Sequence, residues 1–467
     1  MNIAFITCYL KTPLFLAISK MLCRERDDIN VFWVSSSRKW TKYLTENGVL
    51  PDSICQVNAK SRIEGHDRKE AEILISKAEQ KNNVSSNFII SSDRVVSEWK
   101  VQESREYLLY STKMLSDFYR EKDIKFIFGE ATALHEVLSA FLAKTLGILF
   151  LKPHTVRIPN ARFAFFEGYL EQCVVKRNRE LTSQDENKIK EELSKVINKS
   201  QKPSYFYKNN KRHGFFSPNV WKKAVMKLPE AVIEPKYNAS SKTLSYHLIK
   251  ENKLAVPLKI ALLKASSPFV KPCKKEKYVL FTLHKQPEAS IDVLAQKCSN
   301  QVEIIRQLSL SVPSNTKIYV KEHSNAMGER ALGFYNKIRK IPGVKLIDPY
   351  EDSHKLVKNA ELVLTVSGTI AYEALLFGVP SITLSPMFFN NGRGCVFSSH
   401  DPDILTQKIL DIEEVSDGEA IEVVKEVYIN SYPGSVDDVV NDPDCLSEIN
   451  VQNVTKAFLG VMENERR

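Results

Sequence analysis

Nowhere in this 467-residue chain do about 18 apolar residues run together, so no membrane-spanning helix is expected. Its eight cysteines (Cys8, Cys23, Cys55, Cys173, Cys273, Cys298, Cys395 and Cys445) include no Cys-x-x-Cys pair and have no histidines at metal spacing. That scatter argues against a zinc site or a disulfide framework and fits a reducing cytoplasm. No Asp-x-Asp pair stands at a strand end in a suitable context, and the adjacent acids Asp27-Asp28 and Asp437-Asp438 fall in polar stretches, so no obligate metal is expected. The first loop has no Gly-x-Gly-x-x-Gly, so a dinucleotide site is not expected there. The amino-terminal residues lack a basic leader, and Lys11 and Lys20 interrupt their apolar run; they read as a strand and a helix, not as a signal peptide. There is no repeat of short period.

What is present describes a soluble globular protein, with 43% hydrophobic and 26% charged residues. Its length calls for two to three domains. A net charge of +10 favours a polyanionic partner, whether a phosphate-bearing substrate, nucleic acid or an anionic membrane surface, without choosing among them.

The most informative stretch is Leu362 to Leu384, LVLTVSGTIAYEALLFGVPSITL. It reads as a buried strand, a Ser367-Gly368-Thr369 turn, a helix to Phe377, a Gly378 stop with Pro380 beyond it, and a second strand. Such a unit brings free N–H groups and the positive end of a helix dipole to the carboxyl edge of a parallel sheet, where they favour a phosphate. Gly368 permits close approach, and the Ser367 and Thr369 hydroxyls add hydrogen bonds. Glu373 lies one turn beyond Thr369, placed to accept the two hydroxyls of a ribose, which suits a nucleotide better than inorganic phosphate. An ordinary capped βαβ unit needs none of these groups as ligands, and that alternative stays open.

The preceding residues extend the series: strand Tyr278 to Leu283, helix Asp292 to Leu310, strand Lys317 to Lys321, helix Arg330 to Lys340, strand Val344 to Asp348 and helix Ser353 to Asn359. The strand ends carry His284 with Gln286 and Glu288, Lys321 with His323, and the Ser-Gly-Thr turn. All should line one carboxyl edge.

The amino-terminal half alternates in the same way. A strand ends at Gly129-Glu130, a helix carries His135 near its start, and a strand at Ile148 to Leu151 leads into a loop with His154, Arg157 and Arg162. Those three suit an acidic sugar or a diphosphate, or are solvated loop charges. Residues 171–270 break the pattern with a charged helix, the aromatic-basic stretch YFYKNNKRHGFFSPNVWKK and a linker. A helical insertion with buried aromatics is the favoured reading of that stretch, against contact with nucleic acid or with an anionic membrane surface.

The expected architecture is therefore α/β: two doubly wound, Rossmann-like domains facing a cleft, with a helical insertion. The boundaries are 1–170 for an acceptor domain, 171–270 for the insertion and linker, 271–415 for a nucleotide-sugar domain and 416–467 for terminal helices.

The segments LHKQPEAS, IYVKEH and LIDPYEDSHKLVKNAELVLTVSGTIAYEALLFGVP, and less clearly FGEATALHEV with RIPNARF, resemble the capsule-polysaccharide biosynthesis family, which includes bacterial Kdo transferases, and more loosely the GT-B glycosyltransferases. The resemblance covers about half of the chain. It implies a metal-independent glycosyltransferase of capsule or lipopolysaccharide synthesis that transfers a sugar from a nucleotide donor, CMP-Kdo or a related CMP-activated acidic sugar, to a glycan or lipid-linked glycan. His323 takes the place of the family's His-Pro histidine, with Ser324 where the proline stands, and Ser367 and Thr369 take that of its Ser/Thr turn.

In this reading His323 and Lys321 offset charge on the leaving phosphate, and Glu130, its pKa raised by partial burial, is the general base. Lys321, Ser367, Gly368, Thr369, Glu373, His284, Gln286 and Glu288 hold the nucleotide, while His154, Arg157 and Arg162 hold substrate. No cofactor is expected beyond the nucleotide-sugar co-substrate, and no nucleic-acid partner. The expected place is the cytoplasm, with peripheral contact at the inner membrane left open. The alternatives are a nucleotide-sugar 2-epimerase or hydrolase on the same scaffold, and a non-catalytic subunit of a polysaccharide assembly complex.

Overall fold

The run Asn2–Ile6 buries Ile3, Ala4, Phe5 and Ile6 completely, as a strand covered on both faces must. It is β1 of a sheet that continues with β2 (Asn30–Ser35), β3 (Ile54–Gln56), β4 (Ile124–Phe128), β5 (Leu149–Thr155) and β6 (Arg162–Glu167). The strands lie in the order β6-β5-β4-β1-β2-β3, and Tyr432–Pro433, from far along the chain, adds an edge strand antiparallel to β6. β1 to β5 run parallel, while β6 turns back antiparallel to β5. The computed structural model describes residues 1–58, 61–199, 256–390 and 392–464. The aromatic-basic stretch lies outside the described residues.

The second sheet has six parallel strands: β7 (Tyr278–Thr282), β8 (Lys317–Lys321), β9 (Val344–Ile347), β10 (Leu362–Thr365), β11 (Ser381–Thr383) and β12 (Cys395–Phe397). Their order is β12-β11-β10-β7-β8-β9, the doubly wound arrangement that reverses direction between β7 and β10. Such a reversal leaves a crevice at the carboxyl ends of the two central strands. In the first sheet the same reversal falls between β1 and β4. Both Rossmann-like sheets are thus present.

Two compact units contain these sheets. Among the described residues, unit 1 holds 1–179 and 430–464, and unit 2 holds 180–199 and 256–429. The residues from 416 onward therefore do not stand apart as terminal helices: they divide between the units at Asn430. The reason is apolar burial, because the Glu448–Asn464 helix places Phe458 among Phe5, Phe128 and Phe165 at centroid distances of 5.8, 4.6 and 4.9 Å. Unit 2 has its own core on one face of its sheet, including Phe281, Ile305, Val320 and Leu364, all completely buried.

Two helix ends fall where the glycines predict. Gly147 and Gly378 both take a left-handed φ of 74°, a conformation costly for any residue with a Cβ. The helix expected from Asp292 to Leu310 is instead interrupted: Ala289–Asp292 is one short turn and the regular helix is Gln301–Ser311. Asn300 causes the restart, its side chain accepting the Glu303 N–H at the helix N-terminus.

Candidate functional site

The ends of β7, β8 and β10 lie side by side at the carboxyl edge of unit 2. At the switch point, Thr282 of β7 donates its hydroxyl to that of Thr365 in β10 at 3.2 Å. Beyond these threonines come His284 and Gly368, which touch. A Cβ added to Gly368 would stand 2.8 Å from Thr365 Oγ1 and 3.3 Å from His284 Nε2, so only glycine fits the turn as it is built.

His284 is held from both sides of its backbone. Its N–H donates to Gln301 Oε1 at 2.7 Å, and its carbonyl accepts from Gln301 Nε2 and from Arg330 Nη2 at 2.6 Å. Arg330 also forks onto Glu322, a fully buried carboxylate that accepts Nε and Nη2 at 2.8 Å and the Tyr335 hydroxyl at 2.9 Å. Burial, followed by the charges of His323 and Arg330, pushes the His284 ring down to about 4. At neutral pH this histidine is an uncharged imidazole, with one N–H to donate and no net charge for a phosphate. Its Nδ1 is buried without a hydrogen bond. Arg330 and Glu322 escaped the sequence reading, because a buried arginine–carboxylate fork eight residues apart leaves no helical or strand period to notice.

The other residues expected around the nucleotide are distributed as follows. Ser367 is buried, and its hydroxyl donates to the Ser290 carbonyl at 2.6 Å. Thr369 stands at the N-cap of Ile370–Leu376 with no side-chain cap bond. Glu373 is buried and its Oε2 lies 2.8 Å from His354 Nε2. Gln286 is spent on the loop, bonding Ser299 and Gln301. Glu288 is exposed, opens the Ala289–Asp292 turn and accepts the Ser290 hydroxyl at 3.2 Å.

His323 is exposed at the end of β8, and its Nδ1 accepts the Asn325 N–H. Partial burial pulls its ring below the ordinary histidine value, against the opposing charges of Glu288 and Glu322. Lys321 requires correction: its amine is buried and donates to the Pro349 carbonyl at 2.9 Å, tying β8 to the β9 loop. A strand whose side faces are both covered turns its last lysine inward, toward the nearest free carbonyl.

Unit 1 gathers a different set at its own carboxyl edge. Glu130, just after β4, pairs with Lys11, just after β1, across the switch point. His154 on β5 stands between two carboxylates, its Nδ1 3.9 Å from Glu130 Oε2 and its Nε2 3.5 Å from Glu171 Oε1. Glu171 in turn accepts from Lys152 at 2.7 Å. Burial alone would push Glu130 up, but Lys11, His154 and Lys152 outweigh it and hold the carboxyl below its ordinary value. The expectation of a base with a raised pKa is therefore corrected: Glu130 is an ion-paired carboxylate. The same balance of burial against His154 and Lys152 holds Glu171 at about 2, and burial sends His154 down to about 4.

One carboxyl that burial does raise, to about 7, is Glu136. Its Oε2 accepts the Thr132 and Ala133 N–H groups and the Thr132 hydroxyl at the start of the Leu134–Leu146 helix. His135 faces the interior, not the open edge: both ring nitrogens are buried without a hydrogen bond, and burial pushes the ring to about 4. Arg162 is likewise corrected, since its guanidinium is buried and donates to the Ser431 hydroxyl and carbonyl at 2.8 and 2.7 Å. It fastens the Tyr432 edge strand. Arg157 is half-buried, with a left-handed φ of 66°. Lys11, Lys152 and Glu171 were missed because their partners lie 119 and 19 residues off in sequence, and Glu136 because its partners are the backbone and hydroxyl of its own helix start. The one available signal was Lys152, a lysine directly following the apolar run Leu149 to Leu151.

The family match falls on unit 2. The sequence model of the family described as UDP-N-acetylglucosamine 2-epimerase matches residues 253–426. A UDP-N-acetylglucosamine 2-epimerase of Methanococcus maripaludis is 34% identical over 119 residues, 24% of this chain and 30% of that protein. The match thus spans under a third of the relative's length. Among solved structures, the Methanocaldococcus jannaschii UDP-GlcNAc 2-epimerase in complex with UDP-GlcNAc and UDP is 15% identical, covers 91% of this chain and 99% of its own, and superposes with a TM-score of 0.26. Thermosulfurimonas dismutans KpsC, a beta Kdo 2,7 transferase, is 10% identical over 79% of this chain and 98% of its own, with a TM-score of 0.34. Superpositions this loose say nothing of chemistry. Among the described residues no helix is long and apolar enough to cross a membrane.

Proposed function

We propose that the protein is an enzyme acting on a nucleotide-activated sugar, that unit 2 holds a UDP-hexosamine, and that the reaction inverts the sugar at C2. The observation that carries this reading is a coincidence of position. The segment matching the UDP-N-acetylglucosamine 2-epimerase family, 253–426, contains the switch point where His284, Ser367, Gly368, Thr369 and Glu373 come together.

The chemistry follows from those groups. Breaking the bond between a sugar and a diphosphate places negative charge on the departing phosphate, so donors set beforehand around it lower the barrier. The backbone at Gly368 admits a phosphate oxygen closely, and the neutral ring of His284 offers an N–H without fixing the anion so firmly that it cannot leave. Glu373 is one turn along the helix, where its carboxylate accepts from ribose hydroxyls. Inversion at C2 further needs groups that remove and return a proton.

A second reading, sugar transfer from a CMP-activated donor, is favoured by one feature. Glu130 is an ionised carboxylate directly after a strand end, the state a base needs to take a proton from an acceptor hydroxyl. The two readings part in a single experiment. The purified chain is incubated with UDP-GlcNAc in heavy water, without acceptor, and followed by proton NMR. Appearance of the C2 epimer with deuterium at C2 is the expected result. Inert UDP-GlcNAc, with CMP-Kdo consumed once a glycan acceptor is added, would replace it with the transferase. Failure to bind UDP, CMP or GDP in calorimetry would remove both.

A further inference from the structure

His354 is a buried histidine with one polar contact among the described residues. It sits in the Ser353–Lys358 helix that follows β9, where Asp352 caps the helix by accepting the Lys355 N–H. The residue is 3% exposed. Its Nε2 meets Glu373 Oε2 at 2.8 Å, its Nδ1 is buried with no hydrogen bond, and its ring stands edge-on to Phe377 at 5.0 Å. A carboxylate can only accept, so the Nε2–H donates.

An imidazole in an apolar setting is a costly way to fill space, since any polar atom left unpaired keeps its desolvation penalty. Leucine would occupy the same volume without that penalty. The histidine leaves one nitrogen unpaired and commits the other to Glu373, so what it supplies to the fold is the placement of that carboxylate. Phe377 holds the ring on its side, and the Asp352 cap holds the helix that carries it. Glu373 Oε1, the remaining oxygen, has no hydrogen bond among the described residues. The Glu373 N–H donates to the Thr369 carbonyl at 2.9 Å, which sets the carboxylate one turn from the phosphate turn.

We propose that His354 is a positioning residue for recognition of a ribonucleotide: by holding Oε2 of Glu373 it keeps Oε1 as the acceptor for the vicinal 2′- and 3′-hydroxyls. It thereby sets the preference for ribonucleotides over 2′-deoxyribonucleotides. The inference rests on the nucleotide reading of unit 2 and adds to it a residue that never touches the ligand. Removing His354 frees the carboxylate to rotate, so the loss falls on the diol alone, while phosphate contacts at Gly368 and His284 stay as they are.

The test is calorimetric titration of the full chain with UDP and with 2′-deoxy-UDP, for wild type, His354→Leu, His354→Gln and Glu373→Ala. Wild type is expected to prefer UDP by about tenfold or more, the scale of one or two charge-assisted hydrogen bonds. His354→Leu should lose most of that preference while binding 2′-deoxy-UDP within about twofold of wild type. His354→Gln, whose amide N–H can still donate to Glu373, should recover part of it. Glu373→Ala should abolish the preference, and His354→Leu added to it should change nothing more. A preference that survives His354→Leu, an equal fall for both ligands, or additive effects of the two substitutions would each overturn the positioning role. Equal binding of both ligands by wild type would overturn the diol assignment. No binding of UDP or of any other nucleotide would instead remove the nucleotide reading itself.

Discussion

Lys11 and Glu130 illustrate how much of this molecule depends on single charges placed far apart in the chain. Both are nearly buried, and each is the other's main counter-ion. Glu130→Gln leaves the ammonium without a full counter-charge and should cost about 3 kcal/mol in urea unfolding of unit 1, whereas Glu130→Gln with Lys11→Met should recover most of the loss. His135 argues in the opposite direction. Its ring is neutral in the fold at about 4 and binds a proton near 6.5 once unfolded, so its contribution is complete above 6.5 and is lost as pH falls toward 4. His135→Phe should therefore flatten the acid side of the stability curve by up to about 3 kcal/mol at pH 4, measured by urea unfolding across that interval. At this scale the sequence showed which residues could do chemistry but not which were already engaged. Arg162 and Lys321 look like ligands for anions on paper. In the fold their donors are directed at the carbonyls of Ser431 and Pro349, contacts 269 and 28 residues apart that no local pattern announces.

Among the elements, the β10 turn is the one whose geometry was most legible beforehand. A buried strand, Ser-Gly-Thr, a short helix and a glycine stop predict a tight turn at a sheet edge, and the doubly wound order puts that turn at the switch point. What could not be read was the reason for glycine. Its Cα hydrogen faces Thr365 Oγ1 and the His284 ring, and a methyl there must displace one of them. Gly368→Ala should accordingly destabilise unit 2 by about 1–3 kcal/mol and weaken UDP binding at least tenfold by calorimetry, the second effect exceeding what instability alone produces. The helix carrying His354 was legible as a helix, with Leu356 and Val357 facing inward. A histidine in the inward register three residues before Val357 was the available sign of a buried polar role, and Glu373, 19 residues on, was its missing partner.

Among the described residues the two units differ in core composition, unit 1 being dense in phenylalanine around Phe5, Phe128, Phe165 and Phe458, and one face of the unit 2 sheet being built mainly on aliphatic residues with Phe281. Two calorimetric transitions are the expected consequence. Phe458→Ala should lower only the transition of unit 1, by an amount equivalent to about 3–5 kcal/mol, while saturating UDP should raise only that of unit 2. The doubly wound character of both halves was plain from alternating strands and helices. The division of the tail between the units was not, because helical periodicity shows that a helix has an apolar face without showing which sheet will cover it.

That division sets an order of events during synthesis. A ribosome delivers Phe5 about 450 residues before Phe458, the ring that closes over it. At about 5–20 residues per second, the first sheet waits roughly 20–90 seconds with one apolar face uncovered. Unit 2, begun later, has all of its strands and its own core by Ile429, so it can close before the amino-terminal half is finished. The nascent chain thus exposes apolar surface at its beginning after its middle has everything it needs to fold.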